Sequence, residues 1–462
     1  MPLHARGDEP RAAEDLDVNP IYVRAAGHEV PRYRMPDGEM LPDTALRVVR
    51  DELILDGNAR LNLATFVTTW MEPQAELLMA DCFSKNMIDK DEYPQTAELE
   101  RRCVSMIAQL WHADRGTPTG CSTTGSSEAC MLGGMALLWR WRAAGGTGQP
   151  NLVMGANVQV CWDKFCRYWQ VEPRLVPMEP GRLHLTGPEA VARCDQNTIG
   201  VVAVLGSTMD GSYEPVAEIS AALDGLAGSG GPGIPIHVDG ASGGFVAPFI
   251  QPGLEWDFRL PRVASINASG HKYGLVYPGV GWILWRDAAA LPDDLVFKVN
   301  YLGGEMPTFA LNFSRPGSNV VAQYYNFLRL GFEGYRKVQQ ACQDVAMHLA
   351  REIDDMGPFE LLSDGSDLPV LAFRLRDPDA VSYTVFDLSE RLRQRGWLVP
   401  AYTFPANMQD TAVIRLVIRN GFGADLADAL LADLRTQVTA LAQAATAPIP
   451  LLPGKPRGGF AH

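Results

Sequence analysis

Lys272 lies in the segment Ser269-Gly270-His271-Lys272-Tyr273-Gly274, directly after the apolar run 263–267. A lysine on a glycine-flanked turn at a strand end can be desolvated until its amine is free. A free amine adds to an aldehyde to give an imine. Taken alone, the segment also reads as a surface loop. A second segment runs Ile236-His237-Val238-Asp239-Gly240-Ala241-Ser242-Gly243-Gly244. Asp239 closes an apolar strand, and a carboxylate there can hold a proton on the nitrogen of a heteroaromatic ring. The small residues after it let a flat ring approach the backbone, although Asp239 could equally cap the next helix. The third segment is Thr123-Thr124-Gly125-Ser126-Ser127-Glu128-Ala129. Two hydroxyls at the start of an apolar helix, with free N–H groups and the positive end of the dipole, form an anion site. A plain helix cap would read the same way.

Together the three segments say more than any one of them. Phosphate cup, ring-nitrogen acid and Schiff-base lysine, in that order on an α/β scaffold, are the parts that pyridoxal 5′-phosphate (PLP) requires. The order is that of fold-type I PLP enzymes. The chain contains no HExxH and no Cys/His cluster at metal-ligand spacing, so no metal is expected.

The elements that must position these residues follow from the apolar pattern. The runs 151–155, 199–206 and 234–239 read as buried strands, with helices over 127–142 and 216–226 between them. Strand, helix, strand at this spacing predicts a parallel sheet with the chemistry at the strands' carboxyl ends; the likeness to fold-type I enzymes implies a mostly parallel seven-stranded one. One long helix is expected from 320 to 356, ended by Gly357-Pro358. Strands at 368–375, 396–402 and 411–419 and helices at 384–395 and 424–445 predict a small α+β domain. The expected division is an N-terminal arm at 1–56 carrying a helix at 44–55, a large cofactor domain at 57–345, a small domain at 346–447 and a flexible tail at 448–462.

Composition limits the partners. A net charge of −14 over 462 residues repels nucleic acid and anionic membranes. No apolar run reaches 18 residues, and the polar first residues lack the core of a signal peptide. Eight cysteines without a CxxC pair read as reduced thiols, so a cytoplasmic location is expected.

Longer stretches resemble a known family. LDGNARLNLATF (55–66), NMIDKDEYP (86–94), GSSEACMLGGMALLWRWR (125–142), NVQVCWDKF (157–165), VDGASGGFVAPF (238–249), WDFRLPRVASINASGHKYGL (256–275) and NFSRPGS (312–318) are similar to glutamate decarboxylases, group II PLP-dependent decarboxylases. The likeness spans Arg47 to Asp433. Asp163 in CWDKF and HKYGLVYPGVGW (271–282) point toward the plant and actinobacterial branch.

The resemblance implies roles for particular residues. Ser126, Ser127 and Ser269 would hold the phosphate beside His271, joined by Ser314 of a neighbouring subunit. Gln159 and Ala241 would bracket the ring, Asp239 would face its nitrogen, and Thr208 would bond cofactor or substrate. Thr65 and Phe66 would contact the side-chain carboxylate of L-glutamate, with Asn86 and Asp89 from the neighbouring subunit. An acid facing a carboxylate is tolerable where one of the pair carries a proton. Arg415 would take the α-carboxylate, for which a planar fork is suited; Arg419 is its rival by proximity. Tyr301, in a glycine-rich segment expected to act as a lid, would supply or position the proton returned to Cα after CO2 leaves. Lys272 would then release 4-aminobutyrate.

The resemblance also implies a homodimer as the least active unit, with a hexamer as a larger option. Gly240 stands where the family more usually has Ala, a change expected to enlarge the ring pocket slightly. Plant relatives end in a basic, Trp-containing helix that binds calmodulin. Nothing of that kind follows Ala445, so calmodulin is not expected, and His462 is a candidate pH-dependent plug. Two other readings stay open here: a decarboxylase for another amino acid such as aspartate, and a non-catalytic PLP-binding relative.

Overall fold

The computed structural model describes residues 33–114, 116, 118–299 and 306–444. Tyr301, His462 and the tail lie outside the described residues. The chain divides into two compact units, Met1–Asp56 and Gly57–His462. In the first, a helix spans Pro42–Leu53. Its proline sits in the first turn, where the missing N–H costs no bond.

The second unit is built on a seven-stranded sheet. Its strands are β1 (Thr119–Thr123), β2 (Asn151–Gly155), β3 (Glu172–Val176), β4 (Thr198–Val204), β5 (Ile236–Asp239), β6 (Val263–Ala268) and β7 (Gly281–Trp285). Their order is β1-β7-β6-β5-β4-β2-β3. Neighbours from β3 to β6 run parallel; β7 is antiparallel to both β6 and β1. Every residue of β2, β4, β5, β6 and β7 is buried, because helices cover both faces. One of them, Ser126–Ala143, starts three residues after β1 ends. A Cβ added at its Gly133 would come within 2.4 Å of the His237 ring, so this glycine lets the helix lie directly on β5.

A two-stranded ribbon, β8 (Phe297–Val299) with β9 (Met306–Thr308), follows. The next helical stretch, Ser318–Asp354, is not one helix as expected. Gly331 adopts φ 58° and ψ −171°, which breaks it in two. Beyond it lies an antiparallel sheet of β10 (Phe359–Asp364), β11 (Val370–Leu375), β12 (Ala401–Thr403) and β13 (Ala412–Val417), in the order β10-β11-β13-β12. Helices Val385–Gln394 and Ala424–Ala444 accompany this sheet. Leu371, Phe373, Leu388, Ile414, Leu416 and Leu430 share its apolar core. The helix Val385–Gln394 starts with a full capping box, Thr384 and Asp387 each bonding the other's backbone N–H. Among the described residues, no helix is long and apolar enough to cross a membrane.

Candidate active site

A cavity of about 280 Å³ opens at the carboxyl ends of β4, β5 and β6. Ser126, Ser127, Gln159, Thr208, Asp239, Ala241, Ser269, His271 and Lys272 all line it. The loops after four strands, β2, β4, β5 and β6, and the start of one helix therefore bring together every cofactor-holding candidate except Ser314. Asp239 is the last residue of β5, and Ser269 directly follows β6.

At one end, Ser269 and Ser126 hydroxyls lie 2.7 Å apart at the first turn of the helix Ser126–Ala143. Two hydroxyls, first-turn N–H groups and a helix dipole suit a dianion. Glu128 does not oppose them. Its Oε2 accepts from Thr124 N and Oγ1 at 2.7 and 2.9 Å, while its Oε1 accepts from Asn312 N at 3.1 Å. His271 stands nearby. Burial, and then the charge of Lys272, push its imidazole down to about 4, so the ring is neutral.

At the other end, Asp239 is buried and accepts from four donors. Asn267 Nδ2 at 3.0 Å and Ala241 N at 3.2 Å bond Oδ1; Trp162 Nε1 at 2.9 Å and Cys130 Sγ at 3.5 Å bond Oδ2. Only the thiol is a weak donor. Cys130, Cys161 and Asp239 have ligand atoms within 4.8 Å of one another. Three N–H donors orient this carboxylate and leave acceptor capacity toward the cavity, which suits a protonated ring nitrogen rather than a metal. The Trp162, Cys130 and Asn267 contributions were not read from the sequence. His237 was also missed, although it shares the inward face of β5 with Asp239, two residues apart.

Lys272 projects from the turn after β6, its Nζ 3.4 Å from Ser242 Oγ. Its side chain is only half-buried by area, since it faces the cavity. The protein around the amine is nevertheless dense, and desolvation lowers its pKa by more than the nearby Asp239 carboxylate raises it. That favours the free, nucleophilic amine. The turn is clasped from outside by the loop 62–69. Thr68 Oγ1 donates to Lys272 O at 2.6 Å, and Thr68 N donates to His271 O at 2.8 Å.

The same loop carries Thr65 and Phe66. The Phe66 ring is 5.2 Å from Lys272 Nζ and 4.7 Å from the Arg415 guanidinium. Arg415, on β13, is held by the carbonyls of Thr208 and Ala64, the latter at 2.7 Å. Arg419, its rival by proximity, is held differently. It is buried and bonds Val67 O at 2.9 Å, Thr69 Oγ1 at 2.8 Å and Asn62 O, so it anchors the loop.

Asn86, Asp89 and Ser314 gather elsewhere. Asn86 Nδ2 donates to Ser314 Oγ at 3.3 Å, Asn86 Oδ1 accepts from Arg315 N at 3.0 Å, and Asp89 N bonds Asn86 O at 3.2 Å. None of the three lines the cavity. Gly240 gives a correction. An added Cβ there would come 2.9 Å from the Asn267 carbonyl, so a methyl group would press on β6; its absence does not widen the cavity.

An amine nucleophile, a buried carboxylate and an anion cup around one cavity fit PLP, and the protein is a fold-type I PLP-dependent enzyme. The family described as the pyridoxal-dependent decarboxylase conserved domain matches residues 31–376. Glutamate decarboxylase of Aliivibrio fischeri is 55% identical over 443 residues, covering 94% of each chain. Glutamate decarboxylase 5 of Arabidopsis thaliana is 51% identical, over 89% of this chain and 84% of its own. The solved glutamate decarboxylase of Lactobacillus brevis superposes with a TM-score of 0.88 at 48% identity, covering 92% of this chain and 97% of that one. The chain belongs to the pyridoxal-dependent decarboxylase family.

Proposed function

We propose that this enzyme removes the α-carboxylate of L-glutamate, releasing CO2 and 4-aminobutyrate, with PLP carried on Lys272. One observation carries the reading: near full-length likeness to glutamate decarboxylases, joined to a cavity in which the amine, the carboxylate and the anion cup face one another.

PLP supplies a protonated ring that accepts the electron pair left when CO2 departs. The chain does the rest. Ser126, Ser127, Ser269 and the helix start hold the phosphate, beside the neutral His271. Gln159 and Ala241 bracket the ring, and Asp239 keeps the proton on its nitrogen. Thr208 borders the reacting end and fixes Arg415 through its carbonyl. Arg415 has N–H groups left for the α-carboxylate. Thr65 and Phe66 cover the substrate's side chain. Asn86, Asp89 and Ser314 serve the cavity of a neighbouring copy, which makes a homodimer the least active unit. Tyr301 positions the proton that returns to Cα.

The test is product analysis of the PLP-loaded chain with L-glutamate, L-aspartate or an aromatic amino acid. 4-Aminobutyrate from glutamate is expected, with Lys272→Ala losing both product and the visible absorbance of the bound cofactor. Faster CO2 release from aspartate, or none from any substrate, would overturn the reading.

A further inference from the structure

Behind Asp239 runs a line of buried side chains that the chemistry above leaves unused. His237 Nδ1 lies 2.7 Å from Ser265 Oγ, and its Nε2 lies 2.8 Å from Asn267 Oδ1. Asn267 Nδ2 then reaches Asp239 Oδ1 at 3.0 Å. None of the four side chains is more than 4% exposed.

Chemistry fixes which way the protons point. A carboxylate accepts, so Asn267 must turn its NH2 toward Asp239 and its carbonyl oxygen toward His237. That oxygen also accepts, so His237 carries its proton on Nε2. Burial pushes the imidazole down to about 4, so it is neutral and Nδ1 is bare. Nδ1 therefore accepts from the Ser265 hydroxyl. Each donor in the line points toward Asp239, and each bond polarises the next in a low-dielectric core.

The imidazole has no room to turn. Trp162 packs edge-on at 5.1 Å, and Gly133 leaves no space for even a Cβ on the helix side. The titratable groups around the line are Asp239 on the same strand, Cys130 on the helix Ser126–Ala143, Cys161 on the helix Cys161–Tyr168, and Lys272 on the cavity side. Trp162 belongs to both halves of the arrangement, since it walls His237 and donates to Asp239.

We infer that His237 is a positioning residue which, through Asn267, fixes the Asp239 carboxylate and thereby the site's hold on the proton of the cofactor's ring nitrogen. The inference rests on the assignment of Asp239 to that nitrogen. A phenylalanine at 237 would fill the space but leave Asn267 Oδ1 buried without a donor, which is costly in a core. A glutamine could return an N–H to it.

The experiment compares the full-length protein with His237→Phe, His237→Gln and Ser265→Ala. It reads PLP affinity, the pH midpoint of the cofactor's visible band, and kcat and KM for glutamate. His237→Phe is expected to weaken PLP binding about tenfold, the scale of one buried hydrogen bond lost. It should lower kcat by a similar factor with KM within about twofold, since substrate contacts are untouched. The visible midpoint should move up, because a ring nitrogen that loses its proton leaves the imine nitrogen more basic. His237→Gln should recover most of each loss. A folded His237→Phe with unmoved PLP affinity and midpoint overturns the inference. If that variant does not fold, Ser265→Ala, which removes one hydroxyl at the far end, should move the midpoint the same way; an unmoved midpoint there overturns it too. PLP loading and 4-aminobutyrate release by the unsubstituted protein, measured alongside, test the functional reading independently.

Discussion

The Phe66 ring lies 5.2 Å from Lys272 Nζ and 4.7 Å from the Arg415 guanidinium. Its ring face attracts the guanidinium, which offsets part of the cost of holding that charge in a buried site. Arg415 then needs its planar fork twice over, once for the carbonyls that hold it and once for a substrate carboxylate. A lysine keeps the charge and loses the fork. Arg415→Lys is therefore expected to lower kcat/KM for glutamate by about a hundredfold, most of it in KM, the scale of losing a bidentate charged pair. Steady-state kinetics check this, and an unchanged KM would place the α-carboxylate elsewhere. Arg419→Lys should act differently, lowering thermal stability by freeing the loop 62–69. The four donors on Asp239 are also unequal. Trp162→Phe, which removes a 2.9 Å N–H bond, should weaken PLP binding more than Cys130→Ala, which removes a 3.5 Å thiol contact. Equilibrium dialysis against PLP orders the two.

At the scale of elements, the break at Gly331 is the sharpest departure from the expected pattern. Nothing lies within 4 Å of a Cβ added there. The site therefore asks for glycine through its backbone alone, since φ 58° with ψ −171° disfavours every residue with a side chain. Gly331→Ala is expected to lower stability by about 1 kcal/mol or more, read by denaturant melts, with kcat and KM unchanged. The apolar periodicity on both sides of Gly331 continues in helical phase, so it reads as one helix; only a backbone angle separates the two halves. Other elements show the same division. β2 and the helix Ser126–Ala143 fall within a residue of their expected bounds, because long apolar runs define them. β3 was not legible: it is an edge strand with Pro173 in it and one buried residue. β1, with the sequence TGCST, has too little apolar surface to announce a strand. The candidate site was readable where it is built from contiguous strand-end loops, as with Ser269 to Lys272. Trp162 and Cys130 act by packing on Asp239 from 77 and 109 residues away in sequence, and no local pattern encodes that. His237 could have been found, since period-two alternation alone puts it on the face of Asp239.

At the scale of the whole molecule, the residues assigned to one reaction occupy two separate places on one chain. Lys272, Asp239 and the phosphate-holding serines surround the cavity; Asn86, Asp89 and Ser314 form their own hydrogen-bonded group outside its lining. The two-fold dimer proposed above would reconcile the two, because an isologous contact brings patch and cavity together twice. This arrangement makes a quantitative prediction that a self-contained chain does not. Lys272→Ala lacks the amine of its own cavity, and Asp89→Ala lacks the group lent to the neighbour's, so each variant alone should be nearly inactive. In a mixed dimer, the cavity of the Asp89→Ala chain keeps Lys272 and receives an intact Asp89 from the Lys272→Ala chain. The other cavity lacks both. Random pairing makes about half of the dimers mixed, each with one working cavity of two, so activity should return to about a quarter of the unsubstituted level. Co-expression with two affinity tags isolates the mixed species, which should release 4-aminobutyrate at about half the unsubstituted rate. Mixed dimers confirmed by mass that stay inactive would show that each cavity draws on its own chain alone.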